Sequence, residues 1–186
     1  MGRVAAVQDG GRVDSEMIID DHSKSLEIER ESLTSSVASA LIATLNAELS
    51  ALYPEPGATH FSLDPDEVAP GSGIFVVARR HGRPIGCGAL RRVREATLVR
   101  ELGPDVGELK RMYVAQEVRG QGFGRALLDR LEAEARTLGL ARLVLETGTR
   151  QLEALALYRR AGFKEIPAYG EYAASSTTSV CMAKEL

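Results

Sequence analysis

The run Arg119-Gly120-Gln121-Gly122-Phe123-Gly124 constrains the fold of this 186-residue chain more than any other stretch. Before it, Glu108-Leu109-Lys110-Arg111-Met112-Tyr113-Val114 reads as a strand. After it, Leu127, Leu128, Leu131, Ala135 and Leu138 recur at helical spacing, and Gly139 supplies the C-terminal stop. A strand, a glycine turn and an amphipathic helix together make an anion site. Glycines let the backbone approach a ligand closely, and the amides of a helix's first turn lack intrahelical partners. The helix dipole adds to their pull on a phosphate. Two common phosphate patterns do not fit. A nucleotide P-loop ends in Gly-Lys-Ser/Thr, whereas Gly124 is followed by Arg125-Ala126. A dinucleotide fold places its last glycine three positions after the second, near the start of a βαβ unit. Here Gly120, Gly122 and Gly124 alternate and lie late in the chain. Taken alone, the turn is also compatible with glycines that serve only geometry.

The rest of the chain organises around this unit. Residues 1–24 carry neither helical nor strand periodicity and are expected to be a flexible extension, within which Met17 is an alternative start. The regular domain is expected to span 25–186. Leu26 and Ile28 alternate with charges as in a short strand, and Val37, Leu41, Leu45, Leu49 and Leu52 mark a helix stopped by Pro54. Residues 54–73 hold four prolines and read as loop, with one turn near Asp64–Val68. The apolar runs 73–78 and 84–90 flank a Gly-containing turn and predict a hairpin. Leu143-Val144-Leu145 is a short strand, 151–161 a mostly apolar helix ending at Gly162, and 163–166 and 179–183 a final strand pair. This order suits an α/β fold, a mixed sheet with helices on both faces.

Composition excludes several functions. A net charge of −3 lacks the basic excess of a nucleic-acid binder, and the arginine pairs at 79–80, 91–92 and 159–160 read as solvated faces. Cys87 and Cys181 lie in apolar, strand-like runs, as small core residues of a reducing compartment do. Neither has a neighbouring histidine, and His22, His60 and His81 are scattered, so no metal is expected. No apolar run approaches the roughly 18 residues of a membrane span, and no signal-peptide core follows Arg3, so a cytoplasmic location is expected.

Three segments together carry a family resemblance. Arg119–Gly124 resembles the Gln/Arg-x-x-Gly-x-Gly/Ala motif of the GNAT superfamily of N-acetyltransferases. The strand Glu108–Val114 resembles that family's fourth strand. Leu157-Tyr158-Arg159-Arg160-Ala161-Gly162-Phe163 resembles its Leu-Tyr-x-x-x-Gly-Phe signature. The resemblance runs from Ser25 to the C-terminus and is strongest over 108–163. It implies a GNAT fold, a mostly antiparallel sheet of about seven strands with flanking helices. It also implies acetyl-CoA as co-substrate, bound through Arg119, Gly120, Gln121, Gly122, Phe123, Gly124 and Arg125 and through the backbone of Met112, Tyr113 and Val114. Many relatives place an Asn seven positions before the helix tyrosine; here Gln151 offers the same amide on a longer arm.

Acetyl transfer to an amine needs a base, because an ammonium of pKa about 10 cannot attack, and an acid for the departing thiolate. The resemblance implies direct attack in a ternary complex with Tyr158 as the acid. Glu108, 11 positions before Arg119, fits a catalytic glutamate found in several relatives; it equally fits a structural ion pair with Lys110 or Arg111. Strand alternation puts Glu108 on the side of Lys110 and Met112 unless a bulge intervenes. Tyr53, His60, Phe61, Tyr169 and Tyr172 are candidate liners of the acceptor site and equally candidates for loop packing. The acceptor is a small-molecule or peptide amine, and a homodimer is left open. A coenzyme A-binding sensor without turnover, or an enzyme using a longer acyl donor, are the competing functions.

Overall fold

The computed structural model describes residues 26–55, 62–175 and 177–186. Its core is a seven-stranded sheet ordered β1-β2-β3-β4-β5-β7-β6. The strands are β1 (Leu26–Arg30), β2 (Gly73–Arg80), β3 (Arg83–Arg92), β4 (Val106–Val114), β5 (Arg142–Gly148), β6 (Lys164–Ile166) and β7 (Ser179–Glu185). Every neighbouring pair is antiparallel except β4 and β5. The expected mostly antiparallel sheet with helices on both faces is therefore present.

Alternation along the strands builds two cores. Ile74, Val76, Leu109, Leu143, Leu145 and Met182 face one side, where α3 (Phe123–Thr137) and α4 (Leu152–Arg160) pack. On α3, Leu127, Leu128, Leu131 and Ala135 are fully buried, the stripe that its 3.6-residue period requires. Phe75, Val77, Cys87 and Ala89 face the other side, against Ala38, Leu41 and Leu45 of α1 (Ser36–Leu52). Ser35 starts α1 by accepting a hydrogen bond from the Ala38 amide at 3.0 Å. Farther along the same face, Val93, Leu102, Val144, Tyr169 and Tyr172 form a third cluster. That cluster is roofed by α2 (Ala96–Leu102) and by a 3₁₀ turn, Gly170–Ser175. Neither of these was legible in the sequence: α2 has 7 residues and only Leu102 is buried.

Two irregularities in β4 shape the centre of the sheet. Cys87 pairs with Tyr113 but Ala89 pairs with Lys110, so β4 carries one extra residue, with Arg111 at φ 57°. The bulge reverses the faces beyond it. Tyr113 joins the α1 core, while Met112 and Val114 pack toward α3. Simple alternation had grouped Met112 with Glu108; the bulge places them on opposite faces. The second irregularity is a separation. The β4–β5 ladder ends at Leu109↔Leu145. Beyond it β4 continues to Val114 against β3 alone, and β5 continues to Gly148 against β7 alone. The two central strands thus splay apart.

Candidate active site

The splay opens a cleft through the centre of the sheet. Its walls are Lys110, Arg111 and Met112 of β4, Glu146, Thr147 and Gly148 of β5, Leu45, Leu49 and Tyr53 of α1, and Gln151 and Tyr158 of α4, with Tyr172 from the 3₁₀ turn. Past Leu109 the edge of β4 facing β5 has lost its sheet partner, which frees backbone donors and acceptors toward the cleft.

Tyr158 reaches the cleft from α4 and is 5% exposed. Its hydroxyl is pushed well above the ordinary tyrosine range, first by burial and then by the negative charge of Glu146. It therefore stays protonated at neutral pH, the state an acid requires. Gln151 caps α4 and accepts a hydrogen bond from the Thr147 hydroxyl at 3.2 Å. Tyr53 closes one end of the cleft. Its hydroxyl accepts from the Arg150 amide at 2.6 Å, and the Arg150 guanidinium lies over its ring. Only glycine is compatible with this contact: a Cβ on Gly148 would stand 2.1 Å from the Tyr53 hydroxyl.

The glycine turn lies between β4 and α3. Gly120 and Gly122 have φ 75° and 88°, and Gly122 is the N-cap of α3 in the left-handed conformation. No side chain caps that helix, and its first turn carries no acidic residue. A Cβ on Gly120 or Gly122 would meet nothing within 4 Å, so the turn is not packed over at these two positions. Uncapped amides, a helix dipole and no carboxylate are what a diphosphate needs. These residues fit the coenzyme. Gly124 lies inside the helix, where a Cβ would approach Leu157 to 3.3 Å, so it sets the spacing of α3 and α4. The side chains around the turn are mutually engaged. Arg119 donates to Glu48 of α1 at 2.6 Å and to the Val114 carbonyl at 2.9 Å. Gln121 accepts from Arg80 at 3.0 Å, and Arg125 pairs with Asp129 at 2.8 Å on the surface. Phe123 is buried, under the Arg80 guanidinium. Tyr113 donates to Glu48, and burial is the first cause raising its hydroxyl to about 12.

Glu108 lies outside the cleft. It is 1% exposed and pairs with Arg91 of β3, its register partner, rather than with Lys110 or Arg111. Arg91 Nε and Nη2 reach Glu108 Oε2 at 2.8 and 2.7 Å. Tyr169 and Tyr172 both donate to Glu108 Oε1 at 3.0 Å. Arg91 also bonds Glu67 and Glu95, tying the 3₁₀ turn Pro65–Val68 and the start of α2 to the sheet. These groups line a second recess on the α2 side, which shares Tyr172 with the cleft. Of the acceptor candidates, Tyr53 and Tyr172 thus line the cleft and Tyr169 supports Tyr172; His60 and Phe61 lie outside the described residues.

The sequence and the fold are shared with known proteins. Residues 39–163 match the model of the Acetyltransferase (GNAT) family. The chain belongs to the GNAT acetyltransferase family. Over 145 residues, 78% of this GNAT chain and 88% of its relative, it is 40% identical to an IAA acetyltransferase of Azospirillum brasilense. A Klebsiella pneumoniae structure named as an acyl-CoA N-acyltransferase is 33% identical, with a TM-score of 0.70 over 87% of this chain and 97% of that one. A GNAT acetyltransferase of Elizabethkingia anophelis with acetyl-CoA bound shares the fold at 19% identity, with a TM-score of 0.59 over 87% of this chain and 99% of the other. This GNAT chain is an acyl-CoA N-acyltransferase. None of its described helices is long and apolar enough to cross a membrane.

Sequence reasoning missed Glu146, Thr147, Arg91 and Glu48. Glu146 had one local sign, a charge breaking the apolar run Leu143–Leu145 before Gly148. Arg91 and Glu48 had none, because their roles arise only from partners on other elements.

Proposed function

We propose that this GNAT protein transfers the acetyl group of acetyl-CoA to a primary amine, with both molecules bound together and the amine attacking directly. The observation that carries the reading is Tyr158, a buried and protonated phenol facing the cleft that opens where β4 leaves β5. Met112 lines that cleft, and its backbone with that of Tyr113 and Val114, on the stretch of β4 beyond its pairing with β5, would hold the coenzyme, with the amides from Gly120 to Arg125 holding its diphosphate. When bound, the thioester supplies an activated acyl carbon and a good leaving group. The protein's part is to hold an amine against it, to donate to the developing oxyanion from the β4 edge, and to return a proton to sulfur from Tyr158.

A cysteine acyl-enzyme is not supported. Cys87 and Cys181 are both buried, and burial raises their thiols to about 12 and about 11, so neither forms a thiolate readily.

The test is thiol release from acetyl-CoA over a panel of arylalkylamines, diamines, amino acids and a peptide with a free N-terminus, with product masses recorded. IAA, the compound named for the Azospirillum brasilense relative, is included. Acetylation of one panel amine is expected. Coenzyme A binding by calorimetry without any acetylated product would favour the sensor, and faster turnover with a longer acyl donor would change the acyl group.

A further inference from the structure

We propose that Glu146, rather than Glu108, takes the proton of the acceptor amine, and that Glu108 is a positioning residue acting through Tyr172. The inference rests on the amine-acetylation reading above.

Glu108 has no capacity left for a substrate. A carboxylate offers about four lone-pair sites. Two bonds from Arg91 fill Oε2, and the hydroxyls of Tyr169 and Tyr172 fill Oε1. Glu108 also sits behind the opening. It pairs in register with Val144, inside the closed part of the β4–β5 ladder.

Glu146 has the position that Glu108 lacks. It is the first β5 residue beyond the last β4–β5 pair, Leu109↔Leu145, so it stands at the apex of the splay. It lies two residues past Val144, about 6.6 Å farther toward the opening along the strand. Among the residues lining the cleft it is the carboxylate. Its register partner Cys181 belongs to the cluster on the α2 face, so Glu146 faces that side of the sheet. Tyr158 comes from α4 on the opposite face. A base and an acid therefore meet at the apex from opposite faces, which lets an amine arrive on one side while sulfur leaves on the other. The titratable groups that feel the charge of Glu146 are Tyr158 from α4, Tyr172 from the 3₁₀ turn and Cys181 from β7, and Lys110 and Arg111 of β4 and Tyr53 of α1 line the same cleft.

Every proton in the sequence is accounted for. Glu146 takes one from the acceptor ammonium and later releases it to solvent. The neutral nitrogen bonds to the acetyl carbon as the carbon–sulfur bond breaks. Sulfur receives the Tyr158 proton, and the tyrosine recovers one from the nitrogen, which carries one too many after attack.

The experiment compares Glu146→Gln with Glu108→Gln, using the fastest amine of the panel and, separately, buffer alone with water as acceptor. Glu146→Gln is expected to lose roughly 10²-fold in kcat/KM near neutral pH. The loss should recover as pH rises and free amine becomes abundant, with acetyl-CoA affinity and melting temperature kept. Thiol release in buffer alone should fall as well. Glu108→Gln should melt lower but keep the shape of the wild-type pH profile. Glu146→Asp should keep that profile at reduced rate; an Asp variant matching the Gln variant would overturn the assignment in favour of a size requirement. A Glu146→Gln enzyme with wild-type rate and profile, or a pH-rescued loss confined to Glu108→Gln, would also overturn it. Thiol release in buffer without acetylation of any panel amine would refute the amine reading alone, because the Gln variant still reports on the base. A wild-type chain that binds acetyl-CoA yet releases no thiol in either condition would refute both.

Discussion

Arg91 meets Glu108 edge-on across the β3–β4 register, with side chains 10% and 1% exposed. The same guanidinium holds Glu67 and Glu95, so one cation organises three carboxylates from three elements. Removing one partner of a buried pair strands the other charge in a poorly solvated site.

Arg91→Met is therefore expected to destabilise the fold by about 3–5 kcal/mol, seen as a lower urea midpoint. Because α2 and the Pro65–Val68 turn lose their anchor together, hydrogen exchange should quicken in both. A variant with a wild-type midpoint would show that the pair contributes nothing net.

Four of the five tyrosines are held protonated by the fold. Burial is the first cause in each, followed by Glu108 for Tyr169 and Tyr172, by Glu146 for Tyr158 and by Glu48 for Tyr113. A folded pKa above the unfolded value means stability is intact below pH about 10 and is lost as pH rises beyond it. Each buried tyrosine steepens that loss by about 1.4 kcal/mol per pH unit. The tyrosinate absorbance of these four residues should stay absent past pH about 10 and then appear together with loss of circular dichroism. A gradual rise near pH 10 worth more than one tyrosine, in a still-folded protein, would contradict this.

Gly124→Glu tests the diphosphate site. Its Cβ would press on Leu157 at 3.3 Å, and the carboxylate would bring negative charge into the first turn of α3. Coenzyme A binding should be abolished in calorimetry while the circular dichroism stays native. Unchanged affinity would move the phosphate site elsewhere.

Tyr158→Phe removes a hydroxyl and leaves the ring, which packs edge-on against Phe163 at 5.8 Å. Folding and acetyl-CoA binding should persist, while the single-turnover rate falls by roughly 10²-fold or more. Steady-state rates should fall less if product release limits turnover. A full single-turnover rate would remove Tyr158 from the chemistry.

Much of this protein was legible in its sequence because local structure follows short periods. The stripe Leu127, Leu128, Leu131 and Ala135, the glycines at 120 and 122 and the Leu157–Phe163 signature depend on residues within a few positions of one another. They located α3, the glycine turn and Tyr158. The tertiary structure decided what depends on register. The bulge at Arg111 is a non-glycine residue at φ 57°, with no mark in the local pattern, yet it moves Met112 to the face opposite Glu108. The partner of Glu108 is 17 residues away on a neighbouring strand, not its own neighbours Lys110 or Arg111. Glu146 became a site residue only because β5 outruns its pairing with β4 by a few residues. Periodicity specifies which face a side chain takes relative to its own element. Which carboxylate stands at an opening is set by where two distant strands stop sharing hydrogen bonds.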